Sequence, residues 1–228
     1  MGRRIDLNAD LAEGSQSDDV LMRHITSASI ACGGHAGDED SMHTAVTQAL
    51  DHAVRIGAHP SYPDVQGFGR RPVVIDQLSL EADLKRQVAS LIDIADSLGA
   101  KVAYIKPHGA LYNEASTNMP PASEAIARVA RFFGLPLMVL AGSPITKDSE
   151  LDLITEGFID RRYTVGGRLR SRDERDALIT DPGEAIEQAL GLAPEVDSLC
   201  VHSDSLNALE LLKATRACLL RAGFVIGP

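Results

Sequence analysis

Short apolar runs that end in polar residues alternate along this chain with longer segments of helical period. The first run, Arg4-Ile-Asp-Leu-Asn-Ala-Asp10, has the two-residue period of a strand and puts Asp6, Asn8 and Asp10 on one face. A short helical stretch at 18–24 leads to Ser27-Ala-Ser-Ile-Ala-Cys32, which breaks at Gly33-Gly34, presents His35 and relaunches after Gly37. Asp38 is placed to cap the helix that follows, 38–55, with Met42, Ala45, Val46, Ala49 and Ala53 at core spacing. The layout then recurs. A strand at 55–59 ends in His59 and enters a loop rich in turn formers, 60–72, which contains Gly67-Phe-Gly-Arg70. A helix over 76–98, with Leu80, Leu84, Val88, Leu91 and Ala95 on one face, precedes a strand at 101–106 that Pro107 stops just before His108. A helix at 122–133, a buried strand at 136–142, a weaker helix at 146–155 and a sixth strand at 157–161 follow. Beyond them lie an Arg-rich loop, 161–175, a helix at 182–190 and a seventh strand, 198–202, ending in His202. The last helix runs to 221, with Asp204 or Ser205 as its cap.

Strand and helix alternate with no linker between them, which predicts one α/β domain over residues 1–228. A doubly wound sheet gathers its functional residues at one switch point, whereas here they follow nearly every strand. The pattern therefore predicts a β/α barrel of seven parallel strands, a variant of the TIM barrel whose C-terminal strand ends converge on one catalytic face. His35, His59, His108 and His202 all fall at such ends, in company with Asp6, Asp10 and Glu13. His24, His43 and His52 fall on helices and read as surface residues.

Aromatic residues make up only 4% of the 228 residues and Trp is absent, so the core must be aliphatic. A formal net charge of −10 argues against a nucleic-acid or membrane partner and leaves room for a small anionic ligand held by a few cations. Cys32, Cys200 and Cys218 are scattered, which fits neither a disulfide framework nor a zinc knuckle. With no long apolar stretch for a signal peptide or a span, the expected location is the cytoplasm.

Two chemistries suit the cluster. Asp10, His35 and His59 can hold a divalent metal that polarises a carbonyl and activates water. Alternatively they move protons without metal while an amide opens, with Lys106 and Arg70 steadying negative charge. No His-x-x-x-His or His-Glu-x-x-His pair decides between them. Cys32 beside His35 reads as a small apolar residue. Gly67-Phe-Gly-Arg70 matches no phosphate-cradling pattern, so a nucleotide would need a non-standard site or a partner. The Arg-rich loop also carries Asp173, Glu174 and Asp176 and reads largely as self-paired.

Several segments, taken together and in order, resemble the LamB/YcsF family: Asp6-Leu-Asn-Ala-Asp-Leu-Ala-Glu-Gly14, Ser27 through Asp38, Gly57-Ala-His-Pro-Ser61, Phe68-Gly-Arg70, Lys106-Pro-His-Gly109, Asp160-Arg161 and Val201-His202 with Asp204. Ala12, Gly34 and Ser203 stand where the family usually has Gly, Phe and Gly. The resemblance implies a barrel related to the polysaccharide deacetylases. It also implies hydrolysis of 5-oxo-L-proline to L-glutamate coupled to hydrolysis of ATP, with magnesium accompanying the nucleotide and two partner subunits, B and C. On that reading Asp10, His35, His59 and Lys106 are catalytic. Asp6, Asn8, Glu13, Arg70, His108, Asp160, Arg161 and His202 are expected to bind substrate. The alternatives are a metal-dependent amidase or deacetylase working alone and a non-catalytic ligand-binding subunit.

Overall fold

The computed structural model describes residues 2–147 and 150–228. Its core is a ring of seven parallel strands: β1 (Arg4–Leu11), β2 (Ser27–Ala31), β3 (Arg55–His59), β4 (Val102–Ile105), β5 (Leu137–Leu140), β6 (Leu153–Phe158) and β7 (Ser198–His202). Each strand pairs with the next, and β7 returns to β1 with Asp6 opposite Ser198 and Asp10 opposite His202, so the barrel closes. Around it lie α1 (Asp18–Met22), α2 (Glu39–Asp51), α3 (Gln77–Ser97), α4 (Gly109–Ser116), α5 (Ala122–Phe133), α6 (Pro182–Leu192) and α7 (Ala208–Arg221). A two-residue strand, β8 (Val225–Ile226), pairs with the start of β1 outside the ring.

The alternation in β1 sorts its side chains as the strand period requires. Ile5, Leu7, Ala9 and Leu11 are fully buried in the aliphatic core between barrel and helices. Asp6, Asn8 and Asp10 share the opposite face, inside the ring. Met42, Ala45, Val46 and Ala49 of α2 are buried as their spacing predicts. Asp38 caps that helix, accepting a hydrogen bond from the Ser41 amide at 2.8 Å, while Ser41 Oγ accepts from the Asp38 amide at 2.8 Å. Ala53 departs from its expected core position. The helix ends at Asp51, and Ala53 is exposed beyond it.

The C-terminal half differs more from expectation. The sixth strand starts at Leu153, not 157, because residues 153–156 pair in register with β5. Most of the helix expected at 146–155 is therefore absent. Pro144–Lys147 is a single 3₁₀ turn, residues 153–155 belong to β6, and 148–149 lie outside the described residues. Helix α4, directly after His108, has no counterpart among the elements expected from the pattern. Helix α7 starts at Ala208, since Asp204 and Ser205, its expected caps, are bonded to the rim of the barrel instead. Among the described residues no helix is long and apolar enough to cross a membrane.

Candidate functional site

The inside of this barrel is polar, and its polar groups lie in tiers. At the floor, Asp6 accepts hydrogen bonds from Thr26 Oγ1 (2.6 Å), Ser27 Oγ (2.7 Å) and Ser198 Oγ (2.6 Å), with Arg55 Nη2 at 3.3 Å. Asp6 thus plugs the N-terminal end, two positions below Asn8 and away from the catalytic face where it was expected.

The middle tier is organised by Lys106, which follows β4 and is fully buried. Its ammonium lies 2.8 Å from Asp10 Oδ1, 2.8 Å from Glu156 Oε1, 3.1 Å from Asn8 Oδ1 and 3.1 Å from Cys200 Sγ. Asn8 also donates to Glu156 Oε1 (2.9 Å) and Ser198 Oγ (2.7 Å), and Tyr112 OH donates to Glu156 Oε2 (2.9 Å). Burial would lower the Lys106 ammonium, but the charges of Asp10 and Glu156 hold it well above the ordinary lysine value. With four partners for three protons, Lys106 has no N–H left for a substrate oxygen, the task expected of it. Burial would likewise raise the Asp10 carboxyl; His59, Lys106 and His202 outweigh that and hold it at about 2. A carboxylate so held is a weak base.

The upper tier holds the histidines. Glu13 follows β1, and its Oε1 lies 2.8 Å from His35 Nε2, 3.1 Å from His108 Nδ1 and 3.5 Å from His59 Nε2. The His35 and His108 rings stack with centroids 3.6 Å apart. His59 Nδ1 lies 2.7 Å from Lys106 O, and His108 Nε2 lies 3.0 Å from Phe68 O. The Gly67-Phe-Gly-Arg70 loop is clamped onto this stack. Gly69 has φ +61°, and a Cβ there would lie 2.9 Å from His35 Cβ and 3.1 Å from His108 Cδ2, which explains glycine at that position. Gly34 is confined as well, because a Cβ there would run into Ser61 Oγ and the Gln87 amide. Burial pushes His108 down to about 4 and lowers His35, despite the neighbouring Glu13. Burial would also lower His59, but Asp10 and Glu13 raise it above the usual imidazole range.

Across the mouth, His202 closes β7. Its Nδ1 donates to both oxygens of Asp160 (3.1 and 3.0 Å), its backbone N–H donates to the same carboxylate (3.0 Å), and Ser205 Oγ donates there too. The ring stacks on Phe158, and Nε2 stands 3.9 Å from Asp10 Oδ2. Burial would raise Asp160, but His202 and Ser205 hold it well below the usual carboxylate range. Arg161 is buried, and its Nη2 donates to Arg170 O at 2.6 Å while its Nε has no partner among the described residues. Burial and the charge of Arg172 push its guanidinium down to about 10. Arg70 and Arg172 share Asp204.

A cleft of about 830 Å³ opens over these groups. Asp10, His59, His108, Arg161 and His202 lie on its wall, with Arg70 and Lys106. His35 stands behind His108, Glu13 borders a separate shallow depression beside Phe68, and Asp160 supports His202 from below. Among the described residues two groups of metal-ligating type form: Glu13 with His35, His59 and His108, and Asp10 with Cys200 and His202. Of the expected trio, Asp10 and His59 stay close, with Oδ2 3.5 Å from Nε2, while His35 groups with Glu13 and His108. Glu156 and Tyr112 also belong to the site, and neither is singled out by sequence reasoning. Placing β6 at 157–161 leaves Glu156 outside the strand, whereas the strand that begins at Leu153 carries it inside the barrel, onto Lys106 and Asn8. Cys32 is buried, and burial pushes its thiol up to about 12, as an inert core residue requires.

Comparison with known proteins agrees with this architecture. A model of the LamB/YcsF family matches residues 5–228. A curated relative from Neisseria meningitidis, named as the A subunit of 5-oxoprolinase, is 39% identical over 98% of this chain and 99% of its own length. One from Methylococcus capsulatus with the same name is 38% identical over 99% of this chain and 96% of its own. The lactam utilization protein of Thermus thermophilus has a similar structure, with a TM-score of 0.89 at 33% identity, covering 98% of this chain and 99% of that one. A family 4 carbohydrate esterase of Streptomyces lividans shares the fold at a TM-score of 0.57 and 14% identity, over 100% of this chain and 92% of its own.

Proposed function

The chain belongs to the LamB/YcsF family, and we propose that it is the lactam-opening subunit of an ATP-dependent 5-oxoprolinase, converting 5-oxo-L-proline to L-glutamate together with two partner subunits. The reading is supported by relatives that carry the 5-oxoprolinase name and align end to end. The observation that carries it is the pairing, on one cleft wall, of an oriented imidazole and a guanidinium whose Nε has no partner among the described residues.

A five-membered lactam is a stable amide, and phosphoryl transfer from ATP to its oxygen makes the carbonyl carbon a good electrophile. One water adds to that carbon, the C–N bond breaks, and the ring nitrogen takes up a proton and leaves as the amine. The γ-glutamyl phosphate that remains is hydrolysed by a second water to glutamate and phosphate. In this scheme His202 is the base: Asp160 fixes its Nδ1–H, so Nε2 is free to take the proton of the attacking water. Arg161 Nε–H is assigned to an anionic oxygen of the substrate. Asp10, tied to Lys106, contributes negative charge beside His59 and not proton transfer. The test is glutamate release from 5-oxoproline plus ATP by the purified chain, alone and with its candidate partner subunits. Release that needs both ATP and the partners is the expected result, and none under any combination would refute the reading. A metal-dependent amidase working alone is the second reading, favoured by the Glu13–histidine cluster. Turnover that needs metal but not ATP would establish it instead.

A further inference from the structure

We infer that Glu13, His59 and His108 form a binding site for a divalent transition metal of the zinc class, with His35 holding the Glu13 carboxylate in place. The ring protons have fixed positions. A carbonyl oxygen only accepts, so His59 Nδ1 at 2.7 Å from Lys106 O and His108 Nε2 at 3.0 Å from Phe68 O must each carry a hydrogen. In neutral rings His59 Nε2 and His108 Nδ1 are then bare lone pairs, and they face each other at 2.9 Å. Glu13 Oε1, another lone-pair atom, stands 3.1 Å from one and 3.5 Å from the other. Three electron-rich atoms thus converge, and a cation, either a proton on one ring or a metal ion, must lie among them.

The arrangement is that of a metal site and its supports. Ligating imidazoles typically donate their second N–H to a backbone carbonyl or carboxylate, which fixes the tautomer, and both rings here do so. Donors around a tetrahedral ion with bonds of about 2.1 Å stand about 3.4 Å apart, within the spread of these contacts. Two imidazoles and one carboxylate leave a fourth position open, and His59 and His108 both line the cleft. Imidazole favours zinc and its neighbours over magnesium or calcium, so this is not a site for the magnesium of a nucleotide. A single proton shared by the two rings is the other occupant the geometry admits. The metal site stands or falls separately from the lactam-opening reading, because metal binding is measured without substrate.

The test uses the full chain, stripped with a chelator and titrated with zinc chloride by calorimetry and with cobalt(II) by visible absorption. One equivalent of zinc should bind, and cobalt should give the d–d bands of a low-coordinate nitrogen and oxygen site. Glu13→Gln and His108→Gln should each weaken zinc binding by about tenfold or more while far-UV circular dichroism stays unchanged. Nitrogen-15 spectra of the histidine rings, which need no variant, should show His59 Nε2 and His108 Nδ1 shifting together on addition of zinc. Absence of stoichiometric binding, binding that survives both substitutions, or rings that keep a proton at these nitrogens with zinc present would overturn the inference.

Discussion

The middle and upper tiers of the barrel are both buried and both polar, yet they differ in whether their hydrogen-bonding demands are met. Around Lys106, every strong acceptor has a donor and every proton has an acceptor. Around Glu13 and across to Arg161 the demands are met less completely: the facing nitrogens of His59 and His108 have at most one proton between them, and His35 Nδ1 and Arg161 Nε lack partners among the described residues. An unmet buried polar group costs about 1–3 kcal/mol, so one held at the cleft wall, as Arg161 Nε is, points to a use for it. The satisfied tier holds the barrel together; the unsatisfied one is built for something that arrives from outside.

This contrast can be broken by substitution, and the largest effect is expected in the satisfied tier. Lys106→Met leaves Asp10 and Glu156 buried without their cation, and should cost about 3–5 kcal/mol in denaturant unfolding. In the upper tier the loss should fall on activity. Asp160→Asn keeps the shape but no longer fixes the His202 tautomer, and should lower kcat about a hundredfold or more with little change in KM. Arg161→Gln should raise the KM for 5-oxoproline about tenfold to a hundredfold, with an unfolding midpoint near that of the unmodified protein.

The smallest effect concerns Asp18, whose Oδ2 accepts from the Ala12 amide at 2.8 Å while Oδ1 has no partner among the described residues. Burial and the nearby Glu13 charge push its carboxyl up to about 6. The folded state therefore holds this proton more tightly than the unfolded state does. Stability from it is complete below the unfolded value of about 4 and is lost as pH rises through about 6. Since Asp18 is only half-buried, screening limits the loss to about 1 kcal/mol. Asp18→Asn should flatten stability between about pH 4 and 6, read from thermal unfolding across that range.

Much of this is legible in the chain because local pattern and tertiary fold agree. The alternation of Ile5 to Asp10 and the spacing of Leu80, Leu84, Val88 and Leu91 specify a strand and a helix whichever neighbours they meet. Strand ends carrying His35, His59, His108 and His202 follow from the same periodicities. Which of these groups bond to one another is not legible, because that depends on barrel closure. Lys106 is spent on Asp10 and Glu156 only because β1, β4 and β6 face each other across the interior. Glu13 becomes the hub of the histidines only because the turn after β1 folds over the mouth. The β6 boundary escapes prediction for a local reason. Glu156 and Gly157 are weak strand formers, and pairing with β5 and β7 decides their state.

Most depends on His202 as the group that takes a proton from water. The direct measurement is glutamate formed from 5-oxoproline and ATP by His202→Ala, assembled with the partner subunits and compared with the unmodified chain under the same conditions. A fall of about a hundredfold or more, in a protein whose unfolding midpoint is nearly unchanged, is the predicted result. Turnover within a few-fold of the unmodified chain would contradict it.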